Sequence, residues 1–125
     1  MSTNDVVTVG LSDRADAKLT KIGEMGIFNE KIDAYRFAIS LALAHGVIPP
    51  ELVNRKTVYN VGSLDPNQHL QQAVEALMPE QLEVVQTYRL IERLAEWGVN
   101  ELYSQAKSGV IDFPRLLGEV ETKAA

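Results

Sequence analysis

Cysteine is absent from the 125-residue chain, which excludes disulfides and thiol chemistry and fits a reducing compartment. The opening residues, MSTNDVV, do not join a basic region to an apolar run, so we expect no secretory signal peptide. No apolar stretch approaches the ~20 residues that span a bilayer. We therefore expect a cytoplasmic, soluble protein with no membrane contact.

Basic side chains are in the minority. Twelve Lys and Arg face 17 Asp and Glu, which gives a net charge of −5. Nonspecific electrostatic binding of nucleic acid through the overall charge needs an excess of Lys and Arg, so only a local basic patch would favour DNA binding. The length suits one domain, or one domain with an arm, and the 46% apolar content is ordinary for a globular chain.

Residues that carry catalysis are also scarce. The two histidines, His45 and His69, do not lie at metal-ligand spacing, and the glycines are too dispersed for a phosphate loop. Glu92 and Glu96 have helical spacing and are typical of a solvated helix face, where we expect them to pair with Arg89 and Arg93. We expect no catalytic residue, no metal, no cofactor and no enzymatic activity.

The N-terminal third predicts a strand followed by two helices. VVTVGLS alternates with period two, which indicates a short strand. Ser12 or Asp13 can cap a first helix, Gly26 can end it, and Asn29 can cap a second helix that runs to about Ala44. The strand places Val7, Val9 and Leu11 on one face, and Val6, Thr8 and Gly10 on the other.

The remainder predicts a connector and a helical extension. Residues 49–64 form the connector, in which TVYNV could be a short extended piece. Asp65 and Pro66 favour a helix start, a long helical segment runs from Glu80 to about Lys107, and IDFPRLLGEVE gives a last short helix. The predicted organisation is therefore residues 1–48, the connector 49–64, and a helical extension over 65–125.

The second helix has two apolar faces, and one strand cannot stand alone because its edges carry unpaired donors and acceptors. A second copy of the chain would cover the second apolar face of this helix and also supply a partner for the strand, if two strands paired antiparallel across a two-fold axis. The candidate dimer-interface residues are Val7, Val9, Leu11, Ile32, Tyr35, Ile39 and Leu43.

This order of strand, helix, glycine turn and helix resembles the ribbon-helix-helix family of dimeric DNA-binding proteins. The resemblance covers residues 6–46, including the spacing G-x-x-x-x-x-I-x-x-x-R-x-A from Gly26 to Ala38. The matching residues are Val7, Val9, Leu11, Leu19, Ile22, Gly26, Ile32, Arg36 and Ala38. The fold class expected is mostly α: a ribbon-helix-helix-like part, with its short strand paired between protomers, and a helical C-terminal extension.

The order of four segments along the whole chain is similar to that of the small E subunit of the DNA phosphorothioation (Dnd) system. They are LSDRADAKLTKI, GIFNEKIDAYRFAISLAL, ALMPEQL and LAEWGVNELYSQAKSGVIDF. That resemblance implies an oligomeric, nonenzymatic accessory role in DNA sulfur modification.

The DNA-binding hypothesis assigns base contacts to the outward strand positions and phosphate contacts to a basic rim. Its candidate residues are Val6, Thr8, Gly10, Lys18, Lys21, Asn29, Lys31, Arg55 and Lys56. Partners under this hypothesis are a second copy, as dimer or tetramer, and double-stranded DNA. Two alternatives stay open: a protein-interaction module that lost DNA contact, with a partner on the C-terminal helices, and an antitoxin-like regulator.

Overall fold

The computed structural model describes residues 6–108 and confirms a mostly helical chain that starts with a strand and a helix. The elements are β1 (Thr8–Ser12), α1 (Asp13–Glu24), α2 (Lys31–Ala44), β2 (Arg55–Asn60), α3 (Val61–Leu64), α4 (His69–Leu77), a 3₁₀ turn (Gln81–Glu83) and α5 (Thr87–Lys107). The last short helix expected after residue 110 lies outside the described residues.

Local capping sets the ends of the first two helices. The Ser12 hydroxyl accepts a hydrogen bond from the Ala15 N–H at 3.2 Å, which confirms the predicted N-cap of α1. The cap of α2 is Glu30 rather than Asn29, because the Asp33 carboxylate accepts the Glu30 N–H at 3.2 Å. Gly26, with φ of 74°, follows α1 in the left-handed conformation that glycine adopts without strain.

The partner of β1 is β2 of the same chain, so the predicted pairing of β1 with a second copy is wrong. The two strands are antiparallel, from Thr8 opposite Asn60 to Ser12 opposite Arg55, with a bulge after Val9. Strand β2 lies in the segment expected to be a connector. The short extended piece predicted at TVYNV is confirmed, but it begins two residues earlier, at Arg55.

Side chains cover the other edge of β1. The Gly10 N–H donates to Glu92 Oε1 at 2.8 Å, and the Ser12 N–H donates to Glu96 Oε1 at 3.0 Å. The Tyr35 hydroxyl donates to the Gly10 carbonyl at 3.0 Å. A further strand would have to displace these groups, so this stretch of β1 is not a free sheet edge.

The two apolar faces of α2 are buried by α1 and α5 rather than by another protomer. The crossing of α2 and α5 is very close: a Cβ on Gly98 would lie 2.0 Å from the Ala38 carbonyl oxygen. Helix α5 has 21 residues and, at ~1.5 Å per residue, extends about 31 Å along the core. It begins at Thr87 and not at Glu80, after the separate 3₁₀ turn.

Most of the predicted dimer-interface residues belong to the core of one chain. Val9, Leu11, Tyr35 and Ile39 have no exposed surface, so they are not available to a partner in this fold. The other three differ in exposure: Ile32 and Leu43 are half-buried, and Val7 is exposed. These residues are buried within one chain because β2 and α5 occupy the places that a second copy was expected to fill.

Candidate functional site

A buried carboxylate joins β1 to α5. Glu92 is 2% exposed, and its Oε1 accepts hydrogen bonds from the Gly10 N–H, from Arg55 Nε at 2.8 Å and from Arg89 Nη1 at 2.9 Å. The expectation of a solvated glutamate is therefore wrong for this residue, although its predicted pairing with the neighbouring arginine is confirmed. With Oε1 engaged by these donors, we interpret Glu92 as a group that positions the strand.

The strand positions expected to read DNA bases are largely engaged within the chain. The Thr8 hydroxyl accepts a hydrogen bond from Arg55 Nη2 at 3.0 Å, and Val6 is half-buried. Gly10 is buried, and a Cβ at this position would lie 2.4 Å from the Lys56 carbonyl oxygen. The fold therefore leaves little free hydrogen-bonding capacity on this face of β1.

The predicted basic rim is centred on an acidic residue. Lys31 and Lys56 both pair with Asp16, at 3.3 and 3.1 Å. Burial acts to raise the pKa of Asp16, but hydrogen bonds and charge interactions with the two lysines outweigh it, and the pKa lies below its usual value. Lys18 donates to Asn100 Oδ1 at 2.8 Å and lies over an aromatic ring of α5.

The remaining rim candidates do not join this cluster. Arg55 pairs with Glu92, while Lys21 and Asn29 are exposed near the turn between α1 and α2. Much of the positive charge expected to face DNA is thus neutralised by carboxylates of the same chain.

One groove lies between the β1–α1 junction, the residues before β2, and α5. We call it the arginine groove; it has a volume of about 840 Å³ and is lined by residues 12–14, 50–55, 93, 96, 97 and 100. Among the residues the structure describes, Arg14 and Arg93 have no carboxylate within 4 Å. The Glu96 carboxylate is held by Ser12, whose hydroxyl donates to Oε2 at 2.7 Å.

A second groove, of about 500 Å³, separates the C-terminal end of α2 from the end of α4. We call it the apolar groove; its lining residues are Leu43, Ala44, His45, Gly46, Val47, Ile48, Leu77, Met78 and Gln81. Ile48 and Leu77 are 71% and 64% exposed, although both are large aliphatic side chains. The sequence does not reveal this site, because Leu77 lies on the apolar stripe of α4 with Leu70 and Val74, and such a stripe usually faces the core.

In the described part of the chain, no group of three or more His, Asp or Glu side chains is placed to hold a metal ion, and no helix is long and apolar enough to cross a membrane. His45 packs against Trp97, with ring centroids 5.5 Å apart. In comparisons with protein-family models, curated protein sequences and solved structures, no family, relative or structural neighbour matches this chain. The arginine groove and the apolar groove are therefore the candidate binding sites.

Proposed function

We propose that the chain is a protein-interaction module that binds a partner protein through the apolar groove. The observation that carries this proposal is the exposure of Ile48 and Leu77 on the two walls of the groove. Burying a whole aliphatic side chain is worth about 1.5–3 kcal/mol, so covering the exposed part of each would contribute about 1–2 kcal/mol to binding.

The arrangement of polar groups supports a binding role rather than a catalytic one. Glu92 and Glu96 hold backbone N–H groups of β1, and Asp65 accepts the N–H groups of Leu70 and Gln71 at the start of α4. In each case the carboxylate satisfies backbone donors of the fold, as a structural group does.

Site-specific photo-crosslinking in the cells of origin tests this proposal. A photoreactive amino acid at position 48 or 77 should give an adduct of defined mass, and the same amino acid at Met25, which is 45% exposed on the α1–α2 turn, should not. Leu77→Asp should abolish the adduct formed at position 48 while the circular dichroism spectrum stays unchanged. Absence of any adduct from both groove positions would contradict the proposal.

A DNA-associated accessory function, as the Dnd resemblance implies, is the second candidate. It is favoured by Arg14 and Arg93, which share the arginine groove and lack carboxylate partners among the described residues. Guanidinium groups bind phosphate in bidentate fashion, so the arginine groove, rather than the face of β1, would bind the phosphate backbone of DNA.

Duplex DNA binding at about 50 and 200 mM salt tests the second candidate, because phosphate contacts weaken steeply with salt. Arg93→Ala should lower the affinity at low salt several-fold more than Lys21→Ala, which removes the same charge from an exposed position outside the groove. Equal effects of the two substitutions, or no binding at low salt, would exclude the arginine groove as a DNA site.

A further inference from the structure

The residues that line the apolar groove belong to two segments that contain acidic side chains but no Lys or Arg. Residues 37–54 and 57–88, which together supply all of its lining residues, contain no Lys or Arg. They contain five carboxylates instead: Glu51, Asp65, Glu75, Glu80 and Glu83.

Three of these carboxylates lie close in sequence to the exposed leucine of the groove. Glu75 is on α4 two residues before Leu77, while Glu80 and Glu83 follow it around the 3₁₀ turn. All three are exposed and form no ion pair with a described residue. Glu80 and Glu83 therefore add uncompensated negative charge beside the end of α4 that carries the uncovered Leu77, whereas Glu75 lies on a different face of that helix.

We propose that the apolar groove binds a basic amphipathic helix of the partner protein; this rests on the interaction function proposed above. Aliphatic side chains spaced three and four residues apart on such a helix would contact Ile48 and Leu77, as in other helix-in-groove complexes. Lys and Arg beside that stripe would meet Glu80 and Glu83, which gives both orientation and a faster association.

The same charge pattern argues against two other occupants. A second copy docked through this groove would bring the carboxylates of two α4 walls together, and like charges at an interface are unfavourable. A nucleic-acid backbone would meet the same repulsion. The complementary ligand is therefore a cationic protein segment with an apolar face.

The test uses the intact chain and three fluorescein-labelled 18-residue peptides. The first contains leucine and lysine in an amphipathic helical pattern; the second replaces lysine with glutamate; the third scrambles the first so that no apolar face forms. In fluorescence anisotropy, the first peptide should bind at least tenfold more tightly than either of the others. Its affinity should fall between about 50 and 200 mM salt.

Two pairs of variants locate the binding site. Leu77→Asp should weaken binding of the leucine–lysine peptide at least tenfold, while Val7→Asp, at a similarly exposed valine outside the groove, should leave it unchanged. Glu80→Lys should weaken it several-fold more than Glu24→Lys, which makes the same charge change at the exposed end of α1.

Each outcome separates this inference from the function on which it rests. Crosslinks at positions 48 and 77 without a preference for the basic peptide would overturn the inference and leave the interaction module standing. Binding of the basic peptide that Leu77→Asp does not weaken would place that binding elsewhere and overturn it too. A fall in solution mass on Leu77→Asp in the free protein would show a second copy in the groove, which also contradicts the inference.

Discussion

Replacing Glu92 with alanine should destabilise the protein more than any surface substitution, because this carboxylate holds the first strand on the last described helix. Its Oε1 accepts the buried Gly10 N–H and two arginine donors. A buried N–H left without a partner costs about 1–3 kcal/mol. The arginine side chains are 26% and 34% exposed, so water can solvate them again after the substitution and each contributes less.

Adding these contributions, with about 0–1 kcal/mol for each partly exposed arginine, we expect Glu92→Ala to lower the free energy of unfolding by about 1–5 kcal/mol. That is a large fraction of the ~5–15 kcal/mol that stabilises a typical domain. Glu92→Gln keeps an acceptor oxygen and loses only the charge, so its cost should be smaller, about 1–2 kcal/mol.

Urea unfolding followed by circular dichroism measures these differences. Glu83→Ala is the matched control, because that glutamate is exposed on the 3₁₀ turn and its removal should change the unfolding free energy by less than about 0.5 kcal/mol. A cost below 1 kcal/mol for Glu92→Ala would refute the argument that this side chain secures β1.

Five other substitutions, two of them matched controls, test the packing. Gly98→Ala should destabilise the fold by several kcal/mol in urea unfolding, since its Cβ would meet the backbone of α2, whereas Gly62→Ala, with open space around it, should be nearly neutral. Tyr59→Phe should be neutral or stabilising, because the buried hydroxyl of Tyr59 has no hydrogen-bond partner among the described residues, while Tyr35→Phe should cost about 1 kcal/mol. Burial raises the pKa of Tyr59 to about 12 against the ordinary 10.0. Any stability that protonation of Tyr59 contributes is therefore complete below pH 10 and declines as the pH rises toward 12. An ultraviolet titration of the wild type against Tyr59→Phe should show this ionisation. Val9→Asp should abolish folding, measured by circular dichroism; a folded variant with a smaller solution mass would instead support pairing between copies.

The sequence was most informative where the signal is local. The strand at β1, the Ser12 cap and the glycine turn at Gly26 depend on neighbouring residues, and all three features are found, although burial does not alternate along the strand because Gly10 is buried with Val9 and Leu11. The strand β2 was harder to recognise because it begins with charged residues and carries a bulge, so period two does not persist along it.

The contacts that determine the fold connect residues far apart in the chain. Glu92 and Glu96 show the i, i+4 spacing of a helix surface. No local sequence pattern indicates that they accept hydrogen bonds from the N–H groups of Gly10 and Ser12. The apolar groove was missed for a related reason: periodicity places Leu77 on the same stripe as Val74, but only the tertiary fold determines which end of that stripe is covered.

The bond between Gly10 and Glu92 also constrains when this protein can fold during its synthesis. The two residues are separated by 82 positions, and a ribosome adds about 5–20 residues per second, so the strand waits about 4–16 s for its carboxylate partner. Throughout that interval the nascent valine-rich segment has an uncovered edge. A strand that is translated 82 residues before its partner is thus among the last elements to be secured.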